Sequence, residues 1–435
     1  MLDELKSAAR RMGGDYALRS LMTDCRRLLS ERGEANSVAI ARTLVARFDS
    51  LPAEQQASFF DKLASEFSPD PQAVLDSALA YAEKPTADNL IRLTERAEPP
   101  RQELLRRINR TPGGTEAVVR MRRALLDRLP KQPGLKALEA DLLHLLSSWF
   151  NPGFLEMRKV DWNSPAQLLE KLIRHEAVHQ IDGWDDLRRR LLPDRRCFAF
   201  FHPQLPDEPL IFVEVALVPD MPAAVAPLID KTSPSADPDT YKVATFYSIS
   251  NCQPGLKGVS LGNFLIKRVA DELKREVPQL RTFCTLSPIP GFASWLAKDG
   301  DWAALPGVKK PVAERALEAR AQLKDACGGD WSKLASAPAL QALPAEAQRA
   351  LQRLCAFYLV HQTPHPSGDP VARFHLDNGA RLERLNPMGN LSKPGLKQSF
   401  GMMVNYLYDL SRVEAHHEAF TQGEIAAARA VTSLL

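Results

Sequence analysis

Apolar side chains recur at three- and four-residue spacing through almost all of the first 150 residues, a pattern that predicts amphipathic helices. Junctions that contain Pro or Gly, such as Gly13-Gly14 and Pro99-Pro100, separate the helical segments. The segments are residues 2–12, 15–31, 35–49, 52–67, 71–83, 86–97, 101–109, 114–128 and 135–149. We therefore predict an all-α domain over residues 1–150. We expect several of its arginines on outer helix faces: Arg106, Arg107, Arg110, Arg120, Arg122 and Arg123.

After Pro152 the pattern changes to short β-rich runs that alternate with helical stretches. The β-rich runs are residues 197–202, 210–218, 244–250, 281–286 and 371–376. The helical stretches are residues 164–180, 183–192, 260–276, 312–326, 339–361, 393–411 and 413–434. A Pro-rich surface loop, residues 221–241, is expected to join two strands. This alternation predicts a second domain of α/β (α+β) type with a central sheet, over residues 151–435.

Composition narrows the classes of function. Lys and Arg number 56 and Asp and Glu number 53, and a net charge of +3 argues against a protein that mainly binds the nucleic-acid backbone. No run of about 18 uncharged apolar residues is present, so we predict no membrane span. The 6 cysteines include no CxxC pair, which argues against a disulfide scaffold. The N-terminal residues lack the apolar core of a secretory signal, and we expect a cytoplasmic protein.

The segment His175 to His179 reads HEAVH, the HExxH spacing that places two imidazoles on one face of a helix for zinc. A zinc site of this kind also needs a third ligand. The positions at which one continuation of the motif needs glycine and histidine hold Asp182 and Asp185. We interpret the spacing as accidental and predict no metal site, and a zinc hydrolase remains an alternative that metal analysis would test.

A Gly-rich turn from Gln253 to Gly262 follows a β-rich run and opens a predicted helix. Free backbone N–H groups and the positive end of a helix dipole make such a turn an anion site. The turn is neither a Walker A motif nor a GxGxxG motif. It approaches, with its glycines shifted by one position, the turn by which acetyltransferase-type folds hold the pyrophosphate of coenzyme A. On spacing alone, a phosphate site and a plain tight turn both remain open.

Two further side chains suit acid–base chemistry. Ser287 ends a β-rich run, where Pro288 and Pro290 force the chain to leave the sheet. His375 lies in the run 371–376, and the near-neutral pKa of an imidazole suits a general acid or base. Both also have a structural interpretation, as a strand-terminating turn and as a strand histidine. Downstream, the segment 405–408 adds two phenols that can reach the same cleft.

Four sequence blocks together resemble the malonyl-CoA decarboxylase family. The blocks are FYSISNCQPGLKGVSLGNFLIKRV (246–269), LSPIPGF (286–292), DPVARFHLDNGA (369–380) and MVNYLYDL (403–410). A weaker similarity runs through residues 195–218. The blocks occur in the order of the family over most of residues 150–410, and the helical pattern of residues 1–150 is similar to the N-terminal domain of the family.

The resemblance implies a helical assembly domain followed by a GNAT-like (acetyltransferase-like) acyl-CoA-binding catalytic domain. It implies the conversion of malonyl-CoA to acetyl-CoA and CO2 without a metal or an organic cofactor. It implies catalytic roles for Ser287 and His375, a place for Tyr408 at the active site, and a homo-oligomer, dimer or tetramer, assembled through the helical domain. It further implies that a loop and the helix after it hold malonyl-CoA: Lys257, Gly258, Val259, Ser260, Leu261, Gly262 and Asn263.

One position departs from the family. Ser260 stands where vertebrate members of the family have a glutamate that is a candidate catalytic carboxylate. Either that carboxylate is dispensable, or Ser260 and a neighbouring group share its role.

The chemistry of decarboxylation defines what the residues must do. Loss of CO2 from a malonyl thioester leaves an enolate, whose oxygen needs preorganised donors and whose α-carbon needs one proton. We expect Ser287 and His375 to form a hydrogen-bonded pair, with His375 supplying the proton and Ser287 orienting the carboxylate or passing the proton. The reverse division of roles remains open. An acyl-CoA N-acyltransferase and a non-enzymatic scaffold are the alternative functions.

Overall fold

The structure, a computed structural model, describes residues 2–261, 265–298, 300, 302–365 and 367–435. Contacts between residues divide the chain into two compact units. The first unit comprises residues 2–156, Phe201–Pro209 and Gln253–Leu261. The second comprises Met157–Phe200, Leu210–Cys252 and the described residues from 265 onward. Two short segments from the middle of the chain therefore belong to the unit formed by the N-terminal residues, and the predicted division at residue 150 stays a prediction.

The first unit is helical, as the apolar spacing predicted. Its α-helices are α1 (Leu2–Ser30), α2 (Glu34–Ser50), α3 (Ala53–Glu66), α4 (Pro71–Glu83), α5 (Ala87–Ala97), α6 (Pro100–Asn109), α7 (Gly114–Leu126) and α8 (Lys136–Trp149). Helix α1 continues through Gly13-Gly14, where the sequence predicted a break. At the start of α4, Asp70 caps the helix and Pro71 occupies its first position, where a missing N–H costs nothing. Phe48, Phe59 and Phe60 are buried together in the core of this unit.

The second unit is built on a mixed sheet. Its strands are β1 (Glu156–Val160), β2 (Arg195–Phe201), β3 (Ile211–Val218), β4 (Val243–Asn251), β5 (Thr282–Thr285), β6 (Ser287–Pro288), β7 (Arg381–Asn386) and β8 (Met403–Leu407). Among the described residues the strand order is β1-β2-β3-β4-β5-β8-β6, and β7 also pairs with β8. The predicted architecture, an all-α region followed by a mixed α/β region with a central sheet, is confirmed.

Helices lie between these strands in the sequence and after the last of them. They are α9 (Ala166–His175), α10 (Gly183–Arg190), α11 (Ala226–Ile229), α12 (Leu265–Glu276), α13 (Phe292–Leu296), α14 (Lys310–Ala326), α15 (Ala337–Gln341), α16 (Ala345–Phe357), α17 (Pro370–Asp377), α18 (Lys393–Ser399), α19 (Val413–Thr421) and α20 (Arg429–Thr432). A π-helical turn, Tyr358–Gln362, extends α16. Within the described residues of both units, no helix combines the length and the apolar character that are needed to cross a membrane.

Several predicted helices are shorter or interrupted. The prediction of one helix over 413–434 is wrong between Thr421, where α19 ends, and Arg429, where α20 begins. The prediction for 393–411 is wrong beyond Ser399, because Phe400 and Gly401 adopt the left-handed conformation that ends a helix, and β8 follows. The prediction for 164–180 is wrong beyond His175, because Glu176 is extended and the carboxylate of Glu176 caps the next turn through the N–H groups of Val178 and His179.

The sheet opens beside β4. Strand β4 pairs in parallel with β5 only from Val243 to Phe246, and from there to Asn251 it is paired with β3 but not with β5. On its other edge, Glu214 of β3 faces Ser248 and Val215 faces Phe246, so Tyr247 is an extra residue in a β-bulge. A bulge bends a strand and redirects its side chains, and bulges are common beside active sites. The separation of β4 from β5 and the bulge leave room for a cavity at this point.

Candidate active site

A cavity of about 320 Å³ lies at the point where β4 and β5 separate. Its walls come from β4, from β6 and from α17, all within the second unit. The lining residues are Val178, Phe246, Tyr247, Ser248, Ile249, Asn251, Ser287, Pro288, Pro370, Val371, Phe374 and His375. The cavity therefore brings together Ser287 and His375, which are 88 positions apart in the sequence.

Ser287 is held at the start of the short strand β6. Its neighbour across the sheet is Val404 of β8, and Pro288 pairs with Met403. The Ser287 side chain is buried, and its Oγ lies 2.9 Å from Nε2 of His375. The same hydroxyl donates a hydrogen bond of 2.8 Å to Oγ1 of Thr285. The predicted hydrogen-bonded pair of serine and histidine is thus present in the geometry.

His375 lies in helix α17, so its predicted place in a strand is wrong. Asp369 caps this helix through the N–H groups of Val371 and Ala372, and Pro370 occupies its first position. The apolar residues of the segment look alternating in sequence, but Ala372, His375 and Leu376 are buried on one face at helical spacing. The imidazole therefore reaches the cavity from a helix and not from a strand of the sheet.

Tyr408 completes a chain of hydrogen bonds through the imidazole. It follows β8 directly, and its backbone N–H donates to the carbonyl of Phe283 on β5. The Tyr408 hydroxyl lies 2.9 Å from Nδ1 of His375. The ring of Tyr406 stacks on the imidazole at a centroid distance of 4.7 Å. Both ring nitrogens of His375 are therefore partnered and the ring is clamped.

The electrostatics of the site make the imidazole neutral. Burial lowers the pKa of His375 to about 3 and raises the pKa of the Tyr408 phenol. Because the single hydroxyl hydrogen of Ser287 is directed to Thr285, Nε2 of His375 is the donor toward Oγ of Ser287. Nδ1 then accepts from the Tyr408 hydroxyl. Tyr408 thus donates to His375, His375 donates to Ser287, and Ser287 donates to Thr285.

Sequence reasoning did not single out Thr285 and gave Asn405 no role in the site. Thr285 stands two positions before Ser287, so the period of a strand could have indicated that both side chains share a face. Asn405 is fully buried, and its amide donates to the Thr285 carbonyl at 2.8 Å. Its Oδ1 accepts from Asn386 and Arg384. These residues fix the strand segment that carries Ser287.

The Gly-rich turn is anchored within the first unit by Arg122. This arginine is only 1% exposed, which overturns its predicted place on an outer helix face. Its guanidinium donates to the carbonyls of Gly255 and Lys257 and to Glu139, each at 2.7 Å. A Cβ at Gly255 would lie 2.1 Å from the carbonyl oxygen of Val119, so only glycine allows this approach of the turn to α7.

The predicted substrate-binding residues divide into a described and an undescribed part. Gly258 has φ +81°, a left-handed conformation that favours glycine. Val259 and Leu261 are buried, whereas Lys257 and Ser260 are exposed. Gly262 and Asn263 lie outside the described residues, and the binding role of the whole segment 257–263 stays a prediction.

The HExxH segment does not form the helical pair of imidazoles that its spacing suggests. Helix α9 ends at His175, so His179 does not follow it on the same helix face. Glu176 is buried and accepts hydrogen bonds from the hydroxyls of Ser248 and Ser250. Within the described residues, no group of three His, Cys, Asp or Glu side chains is arranged to hold a metal ion. The segment packs Glu176 against the strand that lines the cavity.

The fold and the site define a class of protein. A neutral imidazole hydrogen-bonded to a serine hydroxyl, in a small cavity at the opening of a mixed sheet, is an arrangement that suits acid–base chemistry. The family follows from two matches to family models. The malonyl-CoA decarboxylase N-terminal domain model matches residues 67–150 and the C-terminal domain model matches residues 153–435, well over half of the chain. The chain belongs to the malonyl-CoA decarboxylase family.

Individual proteins agree with this result. The crystal structure of malonyl-CoA decarboxylase from Rhodopseudomonas palustris is 46% identical, with a TM-score of 0.85 over 96% of this chain and 99% of that chain. The structure from Agrobacterium vitis is 45% identical, with a TM-score of 0.82 over 95% and 99%. The mitochondrial malonyl-CoA decarboxylase of Anser anser anser is 36% identical over 340 residues, which is 73% of this chain and 65% of the relative. The chain thus matches just under two thirds of that curated relative.

Proposed function

We propose that this protein decarboxylates malonyl-CoA to acetyl-CoA and CO2. The proposal is supported by its membership of the malonyl-CoA decarboxylase family and by its similarity to two bacterial proteins of that name over nearly their whole length. The observation that carries it is the hydrogen-bonded chain from Tyr408 through His375 to Ser287 at a cavity of about 320 Å³. A decarboxylase of this kind needs one proton delivered to carbon, and a series of hydrogen bonds that ends at Ser287 is suited to deliver one.

In the proposed reaction the bond between the carboxylate carbon and the α-carbon breaks. Its electron pair passes into the thioester as an enolate, and CO2 leaves. The Ser287 hydroxyl turns from Thr285 to the α-carbon and gives it a proton, while Nε2–H of His375 restores the serine hydroxyl. Nδ1 of His375 takes the hydrogen of Tyr408 in the same movement, so that the imidazole stays neutral. The negative charge of the substrate carboxylate ends on the Tyr408 phenol.

Solvent then returns a proton to Tyr408. A separate cavity of about 420 Å³ is lined by Tyr408 together with Lys274 and Arg281. Burial disfavours the phenolate that the relay leaves behind, so Tyr408 takes a proton back readily. The proton consumed at the α-carbon is thereby replaced from outside the substrate cavity.

We also propose that the second unit is the GNAT-like acyl-CoA domain that the resemblance implies. The parallel pair β4 and β5, which separates after Phe246, and the bulge at Tyr247 support this assignment, because they open the sheet at the cavity. A separate proposal, which rests on the resemblance, is that residues 257–263 hold malonyl-CoA. The cytoplasmic location stays a prediction from the sequence.

We further propose that the helical unit assembles the protein into a dimer or tetramer. No residue of α5 is buried, and the pair α4 and α5 exposes four large apolar side chains. They are Leu75, Leu79, Leu90 and Ile91, which are 46% to 60% exposed. Neighbouring exposed apolar side chains of this kind mark interaction surfaces.

A direct assay tests the proposed activity. Purified protein is mixed with malonyl-CoA in the presence of a chelator and without any amine, and acetyl-CoA is followed by mass spectrometry. We expect acetyl-CoA and CO2 to form in equal amounts. Acyl transfer only after an amine is added would instead identify an N-acyltransferase, and no turnover under either condition would refute an activity on malonyl-CoA.

A further inference from the structure

The carboxylate of Asp369 connects the two chain segments that carry Ser287 and His375. Its Oδ1 accepts hydrogen bonds of 3.0 Å from the N–H groups of Val371 and Ala372 at the start of α17. Its Oδ2 accepts a hydrogen bond of 2.9 Å from the N–H of Gly291, 78 positions earlier in the chain. One oxygen therefore caps the histidine helix, and the other holds the segment that follows the serine.

The Asp369 carboxylate as a whole is fully enclosed. The Tyr358 hydroxyl also hydrogen-bonds to Asp369, so three N–H groups and one phenol surround a carboxylate that is 0% exposed. A Cβ at Gly291 would lie 2.1 Å from the Tyr358 hydroxyl oxygen and 3.2 Å from Oδ2 of Asp369. Glycine at 291 is therefore a condition for the close approach of the serine segment to the carboxylate.

The connection is short on both sides. Ser287 is four residues before Gly291, and His375 is six residues after Asp369, within the single helix α17. Capping the helix needs only Oδ1, so the bond from Gly291 to Oδ2 has no role in forming the helix. It restricts instead how far β6 and α17 can move apart, and hence the 2.9 Å separation of the Ser287 oxygen and the His375 nitrogen.

We propose that Asp369 is a positioning residue, whose second carboxylate oxygen sets the distance between Ser287 and His375. The proposal deepens the proposed function and rests on it for its kinetic test. Asp369 does not line the cavity and acts only through the two residues that do.

Asp369→Asn separates the two roles of the carboxylate. Asparagine is as good an N-cap as aspartate, so its oxygen can keep the bonds to Val371 and Ala372. Its amide NH2 then faces the N–H of Gly291, and two donors cannot bond to each other. The matched control is Asp70→Asn, because Asp70 caps α4 through Oδ1, also before a proline, but is exposed. Circular dichroism verifies that both variants fold.

The kinetic test separates kcat from KM. We expect Asp369→Asn to lower kcat by about 100-fold, the cost of a misplacement near 1 Å, and to leave KM close to the wild-type value. Asp70→Asn should match wild type in both. Added to Ser287→Ala, Asp369→Asn should cause little further loss, because the pair that it positions is already broken. Wild-type kcat in the single variant, or a full further loss in the double variant, would overturn the proposal.

A spectroscopic test needs no substrate. With histidine labelled by 15N, the ring signals of His375 are identified by their absence in His375→Gln. Asp369→Asn should shift these signals by changing the hydrogen bond from Nε2 to Ser287, and Asp70→Asn should not. If wild type proves inactive on malonyl-CoA, the proposed function fails, and this measurement still tests the connection: unchanged His375 signals in Asp369→Asn would overturn it.

Discussion

Removing the Ser287 hydroxyl is the most direct test of the proton chain. In Ser287→Ala, the N–H at Nε2 of His375 loses its acceptor, and the relay ends one atom short of the substrate. General acid–base groups typically contribute at least about 100-fold to a rate. We expect kcat for acetyl-CoA formation to fall by about 100-fold or more, which corresponds to about 2.7 kcal/mol or more of barrier.

The same change has a second, independent consequence. The imidazole nitrogen is left buried without a partner, and an unsatisfied buried donor costs about 1–3 kcal/mol. Urea unfolding should therefore show Ser287→Ala to be less stable than wild type by about that amount. The control is Ser294→Ala, an exposed serine of α13 whose hydroxyl donates to the nearby Gly291 carbonyl. A folded Ser287→Ala variant with wild-type kcat would refute the assignment of the relay.

Three further outcomes are expected. Arg122→Met should raise the KM for malonyl-CoA and lower the melting temperature, because the two turn carbonyls and Glu139 lose their hydrogen-bond donor. The control Arg123→Met, at the exposed neighbouring position, should change neither quantity. A wild-type KM in Arg122→Met would contradict the binding role of the turn. Glutamate at both Leu79 and Ile91 should lower the molar mass measured by light scattering, and an unchanged mass would exclude the α4–α5 surface from assembly. Because burial lowers the pKa of His375 to about 3, the ring stays neutral from roughly pH 5.5 to 8.5. The pH profile of kcat should therefore show no inflection near the ordinary histidine pKa of about 6.5. An inflection at that pH would contradict a relay through a neutral imidazole.

The hydrophobic pattern was sufficient for the helical unit, because an amphipathic helix buries its apolar stripe whatever it packs against. It failed for the segment around His375. Six residues of mixed apolar and polar character satisfy a strand period and a helix period equally well. The deciding information was local, since Asp369-Pro370 is a strong helix start, and this signal is also present before α4 at Asp70-Pro71.

The residues around the site were harder to predict than the pairing of Ser287 with His375. Asn405 and Asp369 act through contacts between residues distant in sequence, which no local pattern encodes. Arg122 was misplaced for a related reason. A charged side chain is normally exposed, and its burial becomes favourable only once carbonyls from a turn more than 130 positions later and Glu139 satisfy the guanidinium.

The division of roles between Ser287 and His375 was open from the sequence, and the environment of the pair favours one answer. An imidazole that burial holds neutral carries no spare proton and is a weak acid, so it is poorly suited to protonate carbon by itself. It can release the proton on Nε2 and take up another at Nδ1, provided that an acceptor lies at Nε2 and a donor at Nδ1. Tyr408 and Ser287 occupy those positions at 2.9 Å each. In the reaction that we propose, the serine is therefore the group that meets the α-carbon, and the histidine lets the Tyr408 phenol replace the proton without charge accumulating on the buried ring.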